Sequence, residues 1–159
     1  MKKNLIHSKN KLVYNSYRLA KYWLPVLIWA GIIFLFSNRP TIKTIDFFLG
    51  DFILKKSAHF VEYGVFATLL YRGFINYGID KKKTMILSIF IAFLYAISDE
   101  FHQSFIYGRT ATLRDVLIDT FGAYFSVFIV IKHLKKLPNY IIDFYYRNEI
   151  DIITKKVDL

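Results

Sequence analysis

The fold class predicted for this chain is an all-α membrane protein, with four transmembrane helices and an interfacial amphipathic helix between the first two. Three observations predict it. The chain has 159 residues, of which 55% are hydrophobic, against about 45–50% apolar in a typical soluble domain. Four apolar stretches are separated by polar connections, and the basic residues gather in alternate connections. Aromatic residues make up 19% of the chain, which suits lipid contact and interfacial belts.

The first span is Tyr22–Ser37, which holds no charged side chain and is extended by Leu19 and Ala20. A basic segment, residues 1–21, precedes it. A secretory signal has the same order, but its positive region is shorter. Ser37-Asn38-Arg39-Pro40 also lacks a small-residue cleavage site, so the span is read as a retained helix. Next, Ile42, Ile45, Phe48, Leu49, Phe52 and Ile53 recur at helical spacing, with Lys43, Thr44, Asp46, Asp51 and Lys55 between them. This pattern predicts an amphipathic helix on the outer leaflet; the alternative is an early, tilted start to the second span.

The second span runs from Ser57 to Tyr71 and contains His59 and Glu62. The third is Thr84–Ser98, and the fourth is Val116–Ile131, interrupted by Asp119. Each is slightly shorter than the roughly 20 residues a bilayer requires. Snorkelling lysines and interfacial aromatics can make up the difference. The four-span domain is therefore 22–131, followed by a basic tail, 132–159, in which Tyr140, Ile141, Ile142, Phe144 and Tyr145 mix with charges.

Charge sets the orientation. The N-terminal segment, the second connection (Arg72 and Lys81 to Lys83) and the tail hold most of the 22 basic residues. The positive-inside rule puts both termini in the cytoplasm and the first and third connections outside. The net charge of +10 thus marks topology and anionic lipid rather than nucleic acid, for which there is no recognition motif. Absence of cysteine excludes a disulfide framework, a thiolate metal site and a cysteine nucleophile.

Ionisable residues inside spans are costly and mark a site or a buried polar pairing. Here they share one level. His59 lies roughly 3 Å and Glu62 roughly 7–8 Å below the outer end of the second span, and Asp119 roughly 5 Å below that of the fourth, at 1.5 Å per residue. Asp99 and Glu100 close the third span. His59 shares a helical face with Glu62 and Tyr63, Asp99 with Gln103, and Asp115 with Asp119. Lys55, Lys56, Arg109 and Arg114 stand at the same level to neutralise the acids. A preformed polar pocket is the leading reading, and helix registry by buried polar groups is its rival.

These residues resemble the VanZ-like family of small bacterial membrane proteins. The resemblance rests on Phe36-Ser37-Asn38-Arg39-Pro40, on Lys56, His59, Phe60, Glu62 and Tyr63, on Ser98-Asp99-Glu100-Phe101-His102-Gln103-Ser104-Phe105 with Gly108-Arg109, and on Asp115-Val116 with Gly122. The family usually has Asn where this chain has Asp119. The resemblance implies a multi-pass protein of the bacterial cytoplasmic membrane. A named member is associated with low-level resistance to the glycopeptide teicoplanin, and no reaction is assigned to the family.

Three functions are open at this point. The first is binding or transport of an anionic or lipid-linked envelope component, with membrane lipids and an envelope precursor or glycopeptide-related target as partners. The site residues would be Lys56, His59, Glu62, Tyr63, Asp99, Glu100, Gln103, Arg109, Asp115 and Asp119, with Arg109, Lys56 and Arg114 holding phosphate. The second is an enzyme acting on an envelope lipid, with catalytic candidates His59, Glu62, Asp99, Glu100 and His102. The third is a structural or regulatory role in envelope assembly. No metal or other cofactor is expected, because no recognised ligand spacing occurs. The oligomeric state is open.

Overall fold

In the computed structural model of the chain, residues 2–40, 48–109 and 111–133 are described, with side chains for 13–40, 53–109 and 111–133. Four helices follow in order: α1 (Lys2–Ser37), α2 (Phe48–Ile75), α3 (Lys81–Gln103) and α4 (Leu113–His133). No strand occurs among the described residues.

The hub is α2. It packs most extensively on α4, then on α3 and α1, whereas α1 touches α3 only lightly. Its Tyr63, Phe66, Ala67, Leu70 and Tyr71 are buried against Val26 and Ile33 of α1, Ala92 and Ala96 of α3, and Val116, Ala123 and Val127 of α4. Small side chains let the helices approach. Thr84, Ser88, Ala92 and Ala96 recur every four residues on α3 and are fully buried, which gives α3 one narrow face for close packing inside the bundle. At Gly122 a Cβ would strike the carbonyl oxygen of Phe60, so α4 meets the backbone of α2 there.

Local chemistry sets the ends. Asp80 caps α3 by accepting from the Lys82 and Lys83 amides. The Thr112 hydroxyl accepts the Asp115 amide at the start of α4 (3.3 Å). Gly108, at φ 78°, turns the chain between α3 and α4 in a region that other residues avoid.

Three of these helices, not four, are long and apolar enough to cross a membrane: Val13–Ser37 of α1, α3 and α4. The expectation of four such spans is corrected at α2, where His59, Glu62 and Arg72 break the apolar run. The physical reason is position, because a helix enclosed by three others presents protein, not lipid, with much of its surface. The separate interfacial helix is also corrected. Phe48–Lys55 are the unbroken start of α2, the alternative left open by the periodicity; residues 41–47 lie outside the described ones, as does the tail from 134. α1 is continuous across the expected boundary at residue 21.

Arg72, expected as a loop charge that sets topology, lies in the last turn of α2 and is 5% exposed. Its Nη1 donates to the Lys21 carbonyl (3.2 Å), and its guanidinium covers the Tyr22 ring at 4.9 Å. The partner is explained by Pro25, inside α1. A proline has no amide for the carbonyl four residues earlier, so Lys21 is the carbonyl that Pro25 leaves open. The neighbouring Arg18 donates to the Asn76 carbonyl (2.6 Å) and lies over Tyr77. This end of the bundle is therefore closed by arginines on backbone oxygens.

Candidate functional site

The expected polar residues converge at the other end. α3 supplies two adjacent carboxylates that face different neighbours. Asp99, 5% exposed, turns to α1: its Oδ2 accepts from Ser37 Oγ (2.8 Å) and from Gln103 Nε2 (2.9 Å), and Gln103 Nε2 also reaches Ser37 Oγ (3.2 Å). Glu100 turns to the start of α4, where its Oε2 accepts the Thr112 amide (3.0 Å).

The face shared by α2 and α4 holds the second half. Lys56 pairs with Asp115 (2.5 Å), which Arg114 also approaches (3.8 Å). One turn deeper, His59 Nδ1 lies 3.5 Å from Oδ1 of Asp119. Asp119 is fully buried, and neither of its oxygens has a hydrogen-bond partner among the described residues. His59 thus faces Asp119 across the interface rather than pairing with Glu62 on its own helix. Glu62 stays half-buried; its backbone carbonyl accepts Trp29 Nε1 (2.9 Å).

Tyr63 joins the halves. It is fully buried, one turn along α2 from His59. Its hydroxyl lies beside Asp99 without closing a hydrogen bond of good geometry.

Arg109 has a different setting from the phosphate ligand expected of it. Its Nε donates to the Arg39 carbonyl (3.1 Å) and an Nη to the Phe36 carbonyl (2.9 Å), so it closes the C-terminus of α1, whose last carbonyls have no intrahelical partner. His102 is set apart from His59. Its ring lies on Phe34 of α1, centroids 4.7 Å apart.

The charge balance therefore differs from the near-neutral cluster expected. Lys56 and Arg114 both serve Asp115, and Arg109 serves carbonyls. Among the described residues Glu62, Asp99, Glu100 and Asp119 form no ion pair with Lys or Arg. No group of three or more His, Cys, Asp or Glu among them is arranged to hold a metal.

Sequence reasoning missed the α1 side of the site. Phe34, Tyr95, Ser98, Asp99, Phe101, His102 and Phe105 line a recess of about 250 Å³. Tyr95, expected as plain packing, also donates to the Ala30 carbonyl (2.7 Å). The available signal was the aromatic spacing around Asp99, in particular Phe101 and Phe105 one turn apart.

A family model described as VanZ/LLP1 matches residues 21–135, a stretch that includes every residue of the site. No curated protein and no solved structure matches the chain.

Proposed function

Because the chain belongs to the VanZ/LLP1 family, we propose that it is a bacterial cytoplasmic-membrane protein that binds the headgroup of a lipid-linked envelope component at its acid-rich end. α2 is the fourth span, its polar residues shielded by α1, α3 and α4, and both termini are cytoplasmic by the distribution of basic residues. The acid-rich end then faces outward at headgroup depth.

The observation that carries this reading is the set of carboxylates, most of them buried, that form no ion pair with Lys or Arg among the described residues. Uncompensated buried charge is expensive, and in a membrane protein it marks function. A bundle that needed only registry could be built with polar groups that satisfy one another. Binding through phosphate is the weaker version, since Lys56, Arg114 and Arg109 already have partners. A headgroup rich in N–H and O–H donors suits the acids better.

A second reading is favoured by the His59–Asp119 pair. A histidine oriented by a buried carboxylate is the usual general base, and a nearby lipid hydroxyl would be its substrate. Loss of headgroup chemistry in His59→Ala with lipid binding retained would select it.

The test is teicoplanin susceptibility in a sensitive Gram-positive host, with wild type, Asp99→Asn and Asp119→Asn at matched membrane levels. Protection by wild type that both substitutions remove supports a working site with a role in glycopeptide resistance. Variants that protect as well as wild type overturn it and leave a structural or regulatory protein.

A further inference from the structure

The recess between α1 and α3 combines two features. Its walls are aromatic, formed by Phe34, Tyr95, Phe101, Phe105 and the imidazole of His102, and Asp99 lines it. Both hydrogen bonds to Asp99 arrive at Oδ2, from the neutral donors Ser37 and Gln103, and the Tyr63 hydroxyl, also neutral, lies beside the carboxylate. Oδ1 accepts none among the described residues, and no Lys or Arg forms an ion pair with the carboxylate.

A buried carboxylate held only by neutral donors gains from a cation beside it. Aromatic faces attract the same kind of group. The basic groups nearest do not supply it: Lys56 and Arg114 lie at Asp115, Arg109 lies at the end of α1, and His102, which shares the recess, stacks on Phe34 and forms no ion pair with Asp99. The opening is on the outside of the bundle, where Phe101 and Phe105 are 67% and 72% exposed and stand edge to face at 5.1 Å. About 250 Å³ is below the roughly 300–1,000 Å³ of sites that enclose a whole ligand, and it fits a headgroup.

We propose that this recess binds the primary ammonium group of a lipid headgroup. One N–H of the ammonium donates to Asp99 Oδ1, and the aromatic side chains surround the rest of the charge. A primary ammonium is favoured over a quaternary one because Oδ1 can accept only from an N–H. The inference rests on the headgroup reading above and names its chemistry.

Purified protein exchanged into vesicles of equal parts phosphatidylethanolamine, phosphatidylglycerol and phosphatidylcholine, then analysed for retained lipid by native mass spectrometry, tests it. Wild type should retain phosphatidylethanolamine about tenfold over the other two, the scale of one charge-assisted hydrogen bond. Asp99→Asn should return the retained lipid to the vesicle ratio. Phe105→Ala, at a position that is 72% exposed, should weaken the enrichment several-fold and keeps the test valid if Asp99→Asn misfolds. Phosphatidylcholine retained as well as phosphatidylethanolamine overturns the proposal, as does enrichment that survives both substitutions. Enrichment of phosphatidylglycerol overturns it but leaves the headgroup reading standing. No enrichment of any lipid overturns both.

Discussion

Replacing Arg72 with Met is expected to destabilise the bundle through one backbone carbonyl of another helix. Arg72 is 5% exposed and donates to Lys21 O, the oxygen that Pro25 leaves without an amide. A hydrogen bond with a charged partner contributes about 1.5–3 kcal/mol, and the guanidinium over Tyr22 adds about 0.5–2 kcal/mol. Arg72→Met should therefore cost about 2–5 kcal/mol. The assay is reversible unfolding of the purified protein in mixed micelles with increasing dodecyl sulfate, followed by tryptophan fluorescence and circular dichroism. The decisive comparison is with Pro25→Ala. That substitution restores an amide that can donate to Lys21 O within the helix. In the Pro25→Ala background the cost of Arg72→Met should fall by about 1 kcal/mol or more, outside the roughly 0.3–0.5 kcal/mol within which independent sites add. Equal cost in both backgrounds would refute the link between Pro25 and Arg72.

Other substitutions probe the packing and the site by the same titration. Gly122→Ala should cost about 1–3 kcal/mol, because its Cβ meets the Phe60 carbonyl and only backbone movement can relieve that. Ser37→Ala should cost about 1 kcal/mol by removing one of the two donors to Asp99; unchanged stability would mean that the hydroxyl does not hold the carboxylate. Arg109→Ala should speed amide hydrogen exchange at Ser37 to Arg39 and leave the centre of α2 protected, since its bonds end at the Phe36 and Arg39 carbonyls.

How much of this was legible in the sequence differs by element. The polar cluster was, because carboxylates and histidines interrupting apolar runs stand out against their neighbours. That the same residues would gather at one end followed from the depth of each in its own span. Their partners were not legible. Lys56 meets Asp115 and His59 meets Asp119, whereas helical spacing showed only that His59 shares a face with Glu62 and Tyr63. Arg109 carried the spacing of a loop base free to bind phosphate, and only its distance to the end of α1 assigned it to carbonyls. The segment Phe48–Lys55 shows the limit of periodicity. A helix on a surface and the first turns of a tilted span have the same amphipathic pattern, and nothing local separates them.

The sequence by itself determined that the chain is helical, apolar and membrane-directed, and that the carboxylates and histidines interrupting its apolar runs belong to one end, because period, hydropathy and charge are properties of each segment alone. The tertiary structure decided which groups neutralise one another and which are left without a partner. It also decided that α2, too polar to count as a span when read alone, is the helix around which the other three pack. Hydropathy treats every side chain as if it faced lipid. In this bundle His59, Tyr63 and Arg72 face other helices, and that difference in surroundings sets what a polar group costs and what it can bind.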